Sequence, residues 1–131
     1  ALPIFHRDNI IMADFGENKG CVQSGIRPAV VIQNDLGNKH STTTIVAPIT
    51  GKIKKELPTH HEIYADDYDC LKCDSTILAE QVVTISKEQI LHVIGHLRKT
   101  DSSKLNEILL VSLNINENTV GEENGGIEIC R

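Results

Sequence analysis

Gly25-Ile26-Arg27-Pro28-Ala29-Val30-Val31-Ile32-Gln33-Asn34-Asp35-Leu36-Gly37 sets the fold. Its centre, Ala29 to Gln33, is short, apolar and rich in β-branched residues, which suits a pleated, half-buried strand. Asn34-Asp35-Leu36-Gly37 after it reads as a turn cluster. The same grammar recurs on both sides. Upstream, Asn9 to Phe15 is an apolar run ended by Gly16. Downstream, Thr42 to Ala47 is β-branched, with Pro48 marking a bend, bulge or edge position. His61 to Ala65, Thr76 to Ala79 and Val82 to Ile85 supply further short strands, and Leu91 to Leu97 a brief extended piece. The period then changes. Ser86-Lys87-Glu88-Gln89 reads as a helix start with a capping box. Asp101 to Leu113 is the clearest helix, with Leu105, Ile108, Leu109, Ser112 and Leu113 on one stripe and Asp101 or Ser102 as its cap. Five or six short strands followed by a helix predict an α+β, mainly β fold, a small and strongly curved antiparallel β-barrel with a C-terminal helix.

The chain has 131 residues, the size of one domain. We expect a domain over residues 1–115 and an acidic, glycine-containing tail over 116–131. No apolar run approaches the ~20 residues needed to span a bilayer, and the first residues lack the charged start and long apolar stretch of an export signal. A cytoplasmic protein with reduced thiols is the expectation for Cys21, Cys70, Cys73 and Cys130. Cys70 and Cys73 have CxxC spacing but no second ligand pair, so they read as thiols in a polar loop and no metal or other cofactor is expected. Only two Phe and two Tyr, with no Trp, speak against a sheet that stacks several bases. The net charge is −5, yet it is split: residues 1–55 carry seven basic and four acidic side chains, residues 56–131 six and fourteen. That asymmetry allows a local basic face on an acidic protein.

Two places concentrate chemistry. Pro28 pushes Arg27 toward an extended backbone at a loop–strand junction, where a guanidinium can meet a ligand. Thr50 ends a strand beside Lys52, Lys54 and Lys55, a hydroxyl and three ammonium groups suited to phosphate. Each also has an ordinary reading, as a solvated arginine and as a strand end guarded by lysines.

The segments Gly25 to Asn38, Ile45-Val46-Ala47-Pro48-Ile49-Thr50, Leu57-Pro58-Thr59-His60, Asp74 to Gln81 and Ile94-Gly95-His96-Leu97 resemble, in this order, segments of the MazF/PemK-type toxins. The resemblance runs from about Arg7 to Ile115. It implies an SH3-like barrel, shared with Kid and the gyrase poison CcdB, and a homodimer. It implies the toxin of a type II toxin–antitoxin pair, a metal-independent endoribonuclease that cuts single-stranded RNA at short sequences and leaves 2′,3′-cyclic phosphate and 5′-hydroxyl ends. It further implies a cognate antitoxin whose extended acidic tail crosses the RNA groove, and operator DNA bound only by the toxin–antitoxin complex.

By that resemblance Arg27 and Thr50 are the catalytic pair. Gly25, Lys19, Lys52, Lys54, Lys55, His60 and Gln81 are expected along the RNA, with His60 a possible proton-transfer residue and Gln81 a reader of base edges through its amide. The loop from Asn18 to Ser24 is expected to gate the site. Val83 stands where the family commonly has arginine, and Pro48 where it has alanine. These departures motivate an alternative of another class, a non-catalytic antitoxin-binding co-repressor. Gyrase poisoning is a third reading by fold analogy alone.

Overall fold

A computed structural model of the chain describes residues 3–52 and 55–116. Its strands are β1 (Asn9–Asp14), β2 (Ile26–Val31), β3 (Thr43–Thr50), β4 (His60–Ile63), β5 (Ser75–Leu78), β6 (Val83–Ser86) and β7 (Ile90–His96), with helices α1 (Asp35–His40) and α2 (Lys99–Leu113). The strands pair antiparallel in the order β4-β5-β3-β2-β1-β7, and β6 joins on β3. The mainly β architecture with a C-terminal helix is as expected. The tail from Glu117 to Arg131, with Cys130, and Lys54 lie outside the described residues.

The two-residue period of a strand explains the core. Ile10, Val30 and Ala47 point to one face and pack with Ile63, Ile77, Leu97, Leu105 and Ile108. Their neighbours Ile11, Ala29, Val31 and Val46 point to the other and pack with Phe5, Ala13, Ile85 and Ile90. The three middle strands are thus apolar on both sides, which is why they read as nearly continuous Ile, Val and Ala. α2 covers the first face with Leu105 and Ile108.

Five local expectations are corrected. Asn34 does not open a simple turn. Its side chain accepts from the Gly37 amide at 2.8 Å and caps α1. Pro48 sits inside a continuous strand. The Ile45 carbonyl accepts from Ile32 on the β2 side, so Pro48 turns its nitrogen to the opposite side. There β3 changes partner from β6 at Val46 to β5 at Ile49, and no ladder bond needs the missing N–H. The capping box at Ser86 and Gln89 is present, but it opens one 3-10 turn (Lys87–Gln89) that runs straight into β7. α2 has Arg98 at its N-cap without a side-chain bond. Asp101 and Ser102 instead bond across the molecule, to His61 and Tyr68 and to Asp8. The apolar stripe of α2 is also narrower than expected, with Leu113 60% exposed, while the Ser112 hydroxyl donates to the Ala79 carbonyl.

Candidate active site

The excursion between β1 and β2 positions the first site residue. Gly25 has φ +76°, a conformation that favours glycine. Its amide donates to Gly16 O at 2.7 Å, and its carbonyl accepts from Phe15 at 2.9 Å. Asn18 Nδ2 donates to the Gln23 carbonyl at 2.7 Å. From outside, Gln81 Oε1 accepts from the Gln23 amide at 2.9 Å, and Gln81 Nε2 donates to the Cys21 carbonyl at 3.0 Å. The loop expected to act as a gate is thus tied to Gln81, whose amide bonds loop backbone at both its oxygen and its nitrogen.

Arg27 follows this loop on β2, opposite Ala13. It is half-buried, and its Nε donates to the Ser24 carbonyl at 2.7 Å. Among the described residues no carboxylate pairs with it. The bond through Nε holds the guanidinium plane, and among the described residues its two terminal nitrogens make no hydrogen bond. Such a fork can take two oxygens of one phosphate.

Thr50 ends β3 opposite Thr76. The β2–β3 pairing stops at Ala29 and Pro48. The ladder thus ends two residues short of both Arg27 on β2 and Thr50 on β3. The Thr50 hydroxyl accepts from the Lys52 amide at 3.2 Å, which leaves its own proton to donate. Thr50 is also fully buried. The turn at Gly51 and Lys52 is tight: a Cβ on Gly51 would come within 2.8 Å of Cys73 Sγ.

Beyond Thr50 opens a cleft of about 550 Å³ lined by Gly51, Lys52, Glu56, His60, Glu62, Asp74 and Thr76. Among the described residues its lining carries three carboxylates and one lysine. Lys19, Lys52 and Lys55 are exposed. His60 is held at both ring nitrogens, Nδ1 against the Lys55 carbonyl at 2.9 Å and Nε2 against Glu80 at 2.8 Å. Burial would push the Glu80 carboxyl up, but hydrogen bonds from His60, its own backbone and Thr59 outweigh it and hold the group below its ordinary range. His60 and Glu80 are thus a clamp that ties β4 to the turn bearing Gln81. The CxxC thiols point apart, Cys70 Sγ toward Gly95 and Cys73 Sγ toward Gly51, and both are free.

Two site residues escaped the sequence reading. Glu80 was visible only as the neighbour of Gln81. Gln23 looked like a polar loop residue, yet it is 7% exposed and its buried Oε1 has no partner.

The fold recurs in known proteins. Residues 6–113 match the model of the PemK-like, MazF-like toxins of type II toxin–antitoxin systems. Endoribonuclease EndoA of Bacillus subtilis (strain 168) is 45% identical over 111 residues, which cover 84% of this chain and 95% of that protein. The crystal structure of MazF from Deinococcus radiodurans superposes with TM-score 0.72 at 17% identity, covering 86% of this chain and 98% of the other. An endoribonuclease from Mycobacterial species, solved with its cognate antitoxin, superposes with TM-score 0.70 at 19% identity, covering 85% and 96%. The chain belongs to the PemK/MazF family of toxins of type II toxin–antitoxin systems.

Proposed function

We propose that this endoribonuclease toxin cuts single-stranded RNA at a phosphate gripped between Arg27 and Thr50, without a metal. The observation that carries the reading is the Arg27 guanidinium, half-buried and with no carboxylate partner among the described residues, on the strand that pairs with the one Thr50 ends. The ribose 2′-oxygen attacks the adjacent phosphorus. A 2′-O–P bond forms, the P–O5′ bond breaks, and the ends are a 2′,3′-cyclic phosphate and a 5′-hydroxyl. The 2′ proton leaves as the new bond forms, and the departing 5′-oxygen gains one. Negative charge grows on the two non-bridging oxygens between those events. Arg27 faces that charge with two parallel N–H groups, and Thr50 adds one O–H. A guanidinium keeps its proton near neutrality, so Arg27 stabilises charge and does not act as the base. His60 is held at both ring nitrogens, by the Lys55 carbonyl and Glu80.

The enclosure of Thr50 adds a step. RNA entering the site displaces the Gly51–Lys52 turn, and the hydroxyl then turns from the Lys52 amide toward phosphate. Lys19, Lys52, Lys54 and Lys55 steer the backbone in, and the exposed lysines make that attraction salt-sensitive. The protein acts in the cytoplasm as a homodimer. A cognate antitoxin with an acidic extended segment occupies the same basic approach, and the toxin–antitoxin complex binds operator DNA. The test is incubation of the purified chain with a long single-stranded RNA in EDTA. Cleavage that an Arg27→Ala control lacks is expected. Cleavage no greater than that control overturns the assignment.

A further inference from the structure

Among the described residues the Arg27 side chain makes one hydrogen bond, from Nε to the Ser24 carbonyl at 2.7 Å. The direction of its guanidinium plane therefore follows where that carbonyl points. Ser24 lies between two peptide groups, and each is tied down. On its C-terminal side the Gly25 amide donates to Gly16 O at 2.7 Å, a backbone bond. On its N-terminal side the Gln23 carbonyl accepts from Asn18 Nδ2 at 2.7 Å. The Gln23 amide, for its part, donates to Gln81. The same Asn18 nitrogen also donates to the Phe15 carbonyl at 3.3 Å, and an amide group has two N–H bonds for two such acceptors. Phe15 packs against the core cluster of Ile11, Ala29, Val31 and Val46. Asn18 thus braces the arm of the loop that is rooted in the core against the arm that carries Ser24. Asn18 is itself exposed, so these bonds add little to stability. What they fix is geometry.

We infer that Asn18 is a positioning residue for the cleavage step: its amide holds the loop that aims the Ser24 carbonyl, and that carbonyl sets the plane of Arg27 before RNA arrives. The inference rests on the RNA-cleaving reading above and deepens it. A planar fork meets two phosphate oxygens at once only over a narrow range of directions. A long arginine side chain has many rotamers, and a bond at Nε removes most of that freedom in advance. The Ser24 carbonyl serves as that anchor only while the loop is held on both sides of it. Backbone supplies one side through Gly16, and the Asn18 side chain supplies the other. Loss of the brace leaves Arg27 in place but misaimed, so the effect falls on the rate of cutting and not on the affinity for RNA.

The experiment follows single-turnover cleavage of a short single-stranded RNA carrying one mapped cut site, in EDTA and well below the melting temperature of each variant. It uses the wild type, Asn18→Asp, Asn18→Ala, Arg27→Lys and the double variant Asn18→Asp/Arg27→Lys. Aspartate keeps the size of asparagine and removes the donor; alanine removes the side chain without adding charge. Each Asn18 variant is expected to lose about tenfold in maximal rate, with the half-saturating RNA concentration within about twofold of the wild type. Lysine lacks the Nε–H that Ser24 holds, so adding Asn18→Asp to Arg27→Lys is expected to cost less than about twofold more. Wild-type rates in both Asn18 variants overturn the inference. So does a full tenfold loss repeated in the Arg27→Lys background, which marks an effect that does not pass through Arg27. A raised half-saturating concentration at an unchanged maximal rate overturns it as well, since that marks direct contact of Asn18 with RNA. A wild type that cuts no RNA overturns the proposed function together with this inference; a wild type that cuts while the Asn18 variants match it overturns only the inference.

Discussion

Two polar networks flank the sheet, one on the helix side and one on the loop side, and they are built to opposite rules. On the helix side Asp101 accepts from His61 Nε2 at 2.8 Å and from the Tyr68 hydroxyl at 2.5 Å. The same Tyr68 oxygen accepts from the Arg98 amide at 2.9 Å. Burial, and then the bond to Asp101, push the Tyr68 hydroxyl up to about 12. It stays a neutral donor, and the network ties α2 to β4 with each of these groups paired. On the loop side Gln81 and Arg27 Nε secure backbone in the same way, but the outer edge of Arg27 is left over. Pairing that is completed serves stability, and pairing that is withheld marks where a ligand belongs.

That contrast breaks most sharply at Arg27. Arg27→Ala should lower cleavage by about 10²–10³ or more, measured in single turnover, while the melting temperature stays near the wild type. Arg27→Lys should not restore the rate, since one ammonium cannot replace a planar fork. Thr50→Val should lose about 10² by removing a single donor. On the helix side the pattern reverses. Tyr68→Phe should cost roughly 1–3 kcal/mol of unfolding free energy, because it strips a donor from Asp101 and an acceptor from the Arg98 amide. Urea denaturation measures that loss, and cleavage per folded molecule should hold. A Tyr68→Phe protein with unchanged stability and lost cleavage would invert the comparison.

The pH effects are smaller and also differ by side. The Tyr68 hydroxyl is raised from an ordinary value of 10.0 to about 12 in the folded chain. Its contribution is complete below pH 10 and is lost as pH climbs toward 12, so melting temperature should decline across that alkaline window and more weakly in Tyr68→Phe. Glu80 is lowered from 4.5. Its contribution is present above that value and is lost as pH falls through the folded one, so the His60 clamp should weaken in acid. Thermal melts between pH 3 and 5, with Glu80→Gln as the flat control, measure it.

The strands were legible because three of them are buried on both faces, which forces runs such as Ala29-Val30-Val31 and Ile45-Val46-Ala47. α2 was legible from Leu105 and Ile108. α1 was not, since it buries only the polar Asn38 and carries no apolar stripe. Asp101 has the spacing of a cap, and only the fold brings His61 and Tyr68 to it. Arg27 and Thr50 were singled out through the resemblance as well as their junction positions. The carboxylates that gather in the cleft beyond Thr50 were invisible to a charge count along the chain, because Glu56, Glu62 and Asp74 come from three separate segments. Gln23 was invisible for the converse reason: a loop glutamine reads as solvated until its neighbours close over it.

The 2′-hydroxyl as nucleophile can be tested at one atom. An RNA carrying a single 2′-deoxynucleotide on the 5′ side of the mapped cut phosphate should remain intact at that site in EDTA, while other sites in the same strand are cut normally. Cutting of the deoxy site at the ribose rate would contradict attack by the 2′-oxygen and, with it, the roles given to Arg27 and Thr50.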